Sequence, residues 1–223
     1  LGLLMLIEQC EQAGIEVLSA NTDGIMVRYH KNDSEKYQRL CKQWEDTTHM
    51  NLEHTQYKRY ARRDVNTYTA LTTDDKVKNK GKFTEPDIKH DVKAPIIQTL
   101  ARQYLLYGES PREYIFRNRI SMTVYDFMFN YSATSTFKVY IYDTAADGAT
   151  PAIPLSKTNR WYISKDSTMA INKQGGKRNS TIRIPDGERI VLMNDVDDES
   201  LPSDLDYDYY IAKAQELISK CGG

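Results

Sequence analysis

A tight polar turn, Asn21-Thr22-Asp23-Gly24, separates two short runs, Ile15-Glu16-Val17-Leu18-Ser19-Ala20 and Ile25-Met26-Val27-Arg28-Tyr29. Asn, Asp and Gly tolerate the dihedrals that a close chain reversal demands, so this spacing predicts an antiparallel hairpin. Just upstream, Leu3, Leu4, Ile7 and Cys10 recur at helical spacing, with Gly14 placed as a C-cap. The segment therefore reads helix, strand, turn, strand, which already asks for a mixed α and β fold. The turn presents the Asp23 carboxylate on a rigid scaffold, an arrangement that suits a hard divalent ion. Taken alone, a turn of this composition is more often set by backbone needs than by a ligand.

The remaining chain continues the alternation of helix and strand. Asn32-Asp33-Ser34-Glu35 predicts a helix start, followed by Tyr37, Leu40, Cys41 and Trp44 on one face. Residues 52–62 read as extended and 65–72 as a strand, with Asp74-Asp75 as a turn. Residues 94–107 predict a helix closed by Gly108, and Ser110-Pro111-Arg112-Glu113 opens another. Residues 136–142, 160–164 and 189–193 read as strands, 172–180 as a polar loop, and 207–220 as a final helix capped by an acidic loop. Pro86 marks a domain boundary, giving units 1–86 and 87–223. With 223 residues, 40% of them hydrophobic and 27% charged, the chain suits one large or two small globular domains and is not disordered. The longest apolar run, residues 1–7, falls far below the ~20 residues of a bilayer span, so no membrane partner is expected. The chain opens directly in an apolar helical pattern and is read as the C-terminal piece of a longer protein.

Charge is balanced overall, at 30 basic against 31 acidic residues, but unevenly placed. Residues 56–82 hold Lys58, Arg59, Arg62, Arg63, Lys76, Lys78, Lys80 and Lys82 against Asp64, Asp74 and Asp75. Such a local basic patch matters for polyanion binding even when the pI is near neutral. Lys76, Lys78, Lys80 and Lys82 recur at every second position. In an extended strand their ammonium groups would share one face, at roughly the spacing of successive phosphates along a nucleic-acid strand. The residues alone leave two uses open, phosphate contact or protection of a solvated edge strand. Strand alternation likewise puts Lys58, Tyr60 and Arg62 on one face, opposite Tyr57, Arg59 and Ala61. Residues 195–208 carry seven acids and no base, and read as a solvated capping segment. Tyr207, Tyr209 and Tyr210 are expected to dock the last helix rather than to stack on bases. Gln174-Gly175-Gly176-Lys177-Arg178 lacks the context of a phosphate-binding P-loop and reads as a basic loop able to brush DNA. Cys10, Cys41 and Cys221, odd in number and far apart, argue for a reducing, intracellular setting, and His30, His49, His54 and His90 show no metal-ligand spacing.

Four segments together resemble the family-B DNA polymerases, particularly their short phage and viral members. Glu16 to Val27, with Asn21-Thr22-Asp23-Gly24 at its tip, is similar to motif C of that family. Tyr57-Lys58-Arg59-Tyr60-Ala61 resembles its Lys-x-Tyr motif. Lys76-Val77-Lys78-Asn79-Lys80-Gly81-Lys82-Phe83 resembles the Lys-x-Lys-Gly strand, and Asp206-Tyr207-Asp208-Tyr209-Tyr210-Ile211 is similar to the terminal thumb helix. The order matches across residues 1 to about 220. One position departs, since Asn21 stands where the family has a first aspartate.

The resemblance implies an α+β fold: the C-terminal part of an antiparallel palm sheet with packed helices over 1–86, then a smaller, partly helical thumb over 87–223. It implies that Asp23 is catalytic and binds Mg²⁺, with Asn21, Thr22 and Gly24 in support. Lys58, Tyr60, Arg62, Lys76, Lys78, Lys80 and Lys82 would contact primer-template DNA. Deoxynucleoside triphosphates would be the substrates, in a two-metal transfer completed by a carboxylate from motif A upstream of this chain. The exonuclease and fingers regions would also lie upstream, so the fragment alone would not polymerise. The expected location is intracellular, in the cytoplasm of a bacterial host if phage-encoded. The alternative is a catalytically inactive nucleic-acid-binding module, separately encoded or degenerate, which Asn21 favours.

Overall fold

A computed structural model describes residues 2–84, 93–146, 152–177, 179–195 and 198–221. Helix α1 (Gly2–Gln12) leads into the hairpin β1 (Glu16–Ala20) and β2 (Ile25–Arg28), and α2 (Ser34–Thr48) follows. The face anticipated for α2 closes on one small core against Leu3, Leu6 and Cys10 of α1, whereas Leu4, expected on that inner face, is exposed and Ile7 lies outside the core. Leu6, Cys10, Ile15 and Trp44 are buried there, with Val17, Ile25, Val27, Tyr37 and Leu40 packed around them. The Trp44 indole N–H donates to the Gly2 carbonyl at 2.6 Å, tying α2 to the start of α1. Gly14 adopts φ 74°, which only glycine takes without strain, and so lets the chain turn from α1 into β1.

A separate antiparallel sheet follows, of β3 (Tyr57–Asp64), β4 (Thr67–Thr72) and β5 (Val77–Lys80), with β4 central. The expected strand over 65–72 begins later, because Val65 and Asn66 form the turn between β3 and β4 and the Asn66 N–H donates to the Asp64 carboxylate at 2.9 Å. β4 is enclosed: Thr67, Thr69, Ala70, Leu71 and Thr72 are all buried. Helix α3 (Pro95–Tyr107) packs on β3 and β4, and Arg102 Nη1 donates to the Phe83 carbonyl at 3.4 Å. The boundary expected near Pro86 lies outside the described residues.

The part after residue 93 holds the larger core rather than the smaller unit expected. Helix α4 (Pro111–Asn118) opens at Ser110 as expected, with a capping box in which Ser110 and Glu113 satisfy each other's backbone N–H groups. Among the described residues, seven strands then follow: β6 (Phe129–Ser132), β7 (Phe137–Asp143), β8 (Ile153–Leu155), β9 (Thr158–Ile163), β10 (Met169–Gly175), β11 (Ser180–Glu188) and β12 (Ile190–Leu192). They form two antiparallel sheets ordered β11-β10-β7-β8 and β12-β9-β6. The polar stretch 172–180 is therefore no loop. Asn172 to Gly175 pair with both β7 and β11, and only the tip is irregular. Arg178 lies outside the described residues.

The last helix, α5 (Tyr207–Ser219), closes this core as expected of its tyrosines. The buried Tyr210 hydroxyl accepts from the Ile163 N–H and donates to the Phe127 carbonyl, both at 2.8 Å. Asp206 caps α5 by accepting from the Tyr209 N–H at 3.0 Å and pairs with Arg189 at 2.7 Å. Asp204 accepts from Tyr162 and Ser164, while Asp195, Asp198, Glu199 and Asp208 are exposed, so the acidic segment is largely solvated and caps α5, as expected. Among the described residues, no helix is long and apolar enough to cross a membrane.

Candidate functional site

The hairpin tip forms as its composition demands. The Asn21 side-chain oxygen accepts from the backbone N–H groups of Asp23 at 3.0 Å and Gly24 at 2.7 Å, and the Asn21 N–H donates to the Gly24 carbonyl at 3.0 Å. Asn21 thus spends its acceptor on the turn itself. Asp23 makes no side-chain hydrogen bond among the described residues and projects, exposed, from the tip.

A bulge at Leu18 sets what the hairpin shows to either side. Val17 pairs with Val27, but the next pair is Ser19 with Met26. The extra residue reverses the facing of Ser19 relative to Val17. Val17 and Val27 consequently pack into the small core, while Ser19 and Met26 face the other way.

What they face is the β3-β4-β5 sheet. A cleft of about 220 Å³ is lined by Ser19, Asn21, Asp23 and Met26 on one bank and by Tyr57, Tyr60, Val65 and Tyr68 on the other. The sheet side is organised by register. Tyr68 pairs with Arg62 on β3 and with Lys80 on β5, and Ala70 pairs with Tyr60 and with Lys78. Directly paired residues share a face, so Tyr60, Arg62, Lys78 and Lys80 stand together with Tyr68. Tyr57 joins them because a second bulge lies between Tyr57 and Arg59. Its ring sits 5.7 Å from that of Tyr60, which sits 5.3 Å from that of Tyr68. Lys78 Nζ lies 5.9 Å from the centre of the Tyr57 ring. Partial burial, then the neighbouring Tyr68, raise the Tyr60 phenol above its ordinary pKa, and Arg62 opposes the shift.

The other expected basic residues are disposed differently. Lys58 does not extend the Tyr60 row: the bulge breaks strict alternation, and Lys58 is held by Asp75 at 2.6 Å. Lys76 precedes β5 and pairs with Asp74 at 2.7 Å; hydrogen bonds from Lys76 and Thr72 hold that carboxyl down at about 2. The row of four lysines is cut at Lys80, because the strand ends there and Gly81, Lys82 and Phe83 form a 3-10 turn. Gly81 has φ 63°, and a Cβ on it would lie 2.2 Å from the Asn66 carbonyl oxygen, so the turn sits tightly under the β3–β4 loop. Lys82 leaves the row and falls near Arg63, Lys93 and Lys220; burial first, then those charges, lower its pKa below the usual lysine range. Only Lys78 and Lys80 retain the phosphate-like period.

Among the described residues, no group of three or more His, Cys, Asp and Glu side chains converges as metal donors. The cleft offers one carboxylate, Asp23, with the Ser19 hydroxyl nearby. That is half of what a two-ion site needs, since two ions held ~4 Å apart call for converging carboxylates. His30 instead accepts from the Asn32 N–H at 3.3 Å, His54 lies edge-on to Tyr37, and His90 is outside the described residues. Cys10 and Cys41 are free and buried, and burial, with Cys41 and Glu11 nearby, pushes the Cys10 thiol up to about 11.

The sequence reading missed Tyr57 and Tyr68 as members of the site. Tyr68 was visible as an aromatic residue in a strand, but its face depends on which strand pairs with it. Tyr57 was assigned to the wrong face because a bulge leaves no periodic trace. No protein-family model matches the chain, and no curated protein matches it.

Proposed function

We propose that this chain is the C-terminal part of a template-directed DNA polymerase, supplying one catalytic carboxylate and a surface for primer-template DNA. The observation that supports it is the shared cleft. A carboxylate on a hairpin tip and the rings of Tyr57, Tyr60 and Tyr68 bound the same space, although 34 residues or more separate them from Asp23 in sequence, and the sheet face that carries the rings also carries Arg62, Lys78 and Lys80. A nucleic-acid strand seated on the cations would bring its end towards Asp23. Lys78 and Lys80 would neutralise phosphates without reading bases. In the complete enzyme Asp23 would hold Mg²⁺, whose chemistry is to activate the primer 3′-hydroxyl. The second carboxylate would come from outside this chain, so these residues alone would not complete a transfer step. Asn21 fits a supporting role, because its oxygen is already committed to the turn. On this reading Asp23 is the metal ligand at the tip.

A second reading, a nucleic-acid-binding module without catalysis, draws on the same Asn21 and on the single carboxylate. One experiment separates the two. In the complete protein, Asp23→Ala should abolish nucleotide incorporation while primer-template binding persists. Persistent incorporation at a normal rate would remove Asp23 from the chemistry. In parallel, the double change Lys78→Ala and Lys80→Ala should lower the salt slope of duplex binding by about one to two. An unchanged slope would reject the phosphate contacts.

A further inference from the structure

The three tyrosines of the cleft belong to neither hydrophobic core, and among the described residues none of their hydroxyls makes a hydrogen bond. They are half-buried rings standing in a row with centre spacings of 5.7 and 5.3 Å. Tyrosines whose purpose is packing would be enclosed, as Tyr210 is. A row of part-open rings bordered by cations is the arrangement that binds single-stranded nucleic acid, in which bases stack on aromatic faces and the backbone follows the positive charges.

Size and charge specify the occupant further. The cleft, at about 220 Å³, is below the ~300–1,000 Å³ of a pocket for a drug-sized ligand, so it takes one flat ring rather than a whole nucleotide. The lysines stand on β5 and the Asp23 carboxylate on the opposite bank. Phosphates are drawn to the first and repelled by the second, which orients the base towards the hairpin and the backbone towards β5. Met26 supplies an apolar cover facing the rings. A base within a duplex is already stacked on its neighbours and cannot enter such a slot.

We propose that the cleft holds one unpaired base of a single strand, stacked on Tyr60 and Tyr68 beneath Met26, with the adjoining phosphates on Lys78 and Lys80. Tyr57 extends the platform to a neighbouring base. This rests on the nucleic-acid reading above and adds to it a preference for an unpaired strand and two residues, Tyr57 and Tyr68, that carry it.

The test uses the full 223-residue chain, with a labelled oligothymidylate and a blunt duplex of equal length as probes, followed by fluorescence anisotropy over a salt series. The wild-type chain should bind the single strand more tightly. Tyr68→Ala should weaken that binding by about 5- to 150-fold with little change in salt slope. Tyr68→Phe, which keeps the stacking face, should stay within about twofold of wild type, and Tyr57→Ala should act in the same direction as Tyr68→Ala. If Tyr68→Ala binds like wild type while the lysine variants lose affinity, the slot is wrong and the phosphate surface stands. If Tyr68→Phe fails as badly as Tyr68→Ala, stacking is not the cause and the proposal is overturned. If the wild-type chain binds neither probe, the nucleic-acid reading falls with it.

Discussion

Asn21 occupies the position where a second acid would double the charge at the hairpin tip, and its side chain is turned into the turn. Its oxygen accepts two backbone N–H groups, which would otherwise face solvent. An aspartate could accept the same bonds, so the amide and the carboxylate are structurally interchangeable here and differ only in charge. Asn21→Ala should therefore lower the stability of the chain by about 1 kcal/mol, at the scale of a net hydrogen bond, and Asn21→Asp should not. Urea unfolding midpoints of the two variants decide the matter. An alanine variant as stable as wild type would mean that the turn holds without its side-chain acceptor.

At the scale of elements, two bulges do what periodicity could not forecast. The one at Leu18 turns Ser19 and Met26 away from the core and onto the cleft, and the one between Tyr57 and Arg59 brings Tyr57 beside Tyr60. The end of β5 has an equally local cause. Gly81 and Gly108 share a left-handed backbone, at φ 63° and 78°, but only at Gly81 would a Cβ meet another atom, the Asn66 carbonyl oxygen. Gly108→Ala should cost the backbone penalty alone, roughly 1–2 kcal/mol. Gly81→Ala should cost clearly more and should move the 3-10 turn that carries Lys82. Equal losses of thermal stability in the two variants would show that the β3–β4 loop yields to the added methyl.

For the molecule as a whole, α5 is held to the sheets by a polar joint as well as by its apolar face. Asp186 on β11 accepts from the Tyr209 hydroxyl and pairs with Lys213, each at 2.6 Å. Burial pushes its carboxyl up, but those two donors outweigh it and leave it below the ordinary value. A depressed folded pKa means that the unfolded chain binds the proton more readily. The contribution is therefore complete above the ordinary aspartate pKa of about 4 and is lost as pH falls through the lower folded value. Asp186→Asn, which also tolerates the left-handed φ of 54°, should be less stable than wild type at neutral pH. The gap should narrow in acid, and unfolding midpoints across that range measure it. A gap constant with pH would exclude the carboxylate charge as its source.

Much of this protein was legible before any coordinates. The α2 face, the reversal at Asn21 to Gly24 and the helix start at Ser110 are set by neighbours within a few residues, through side-chain hydrogen bonds to nearby backbone and apolar spacing. The mixed α and β class followed from them. The far strands were harder to read: Asn172 to Gly175, polar and basic, passed for a loop because their place in a sheet comes from β7 and β11. The membership of the cleft was decided in the same way. Which face Tyr57, Tyr68 and Lys82 take depends on bulges, on strand pairing and on a turn wedged under Asn66, and each is a contact between segments distant along the chain. Side-chain direction along a strand is a local rule that a single extra residue reverses, and only the paired strands record where that residue lies.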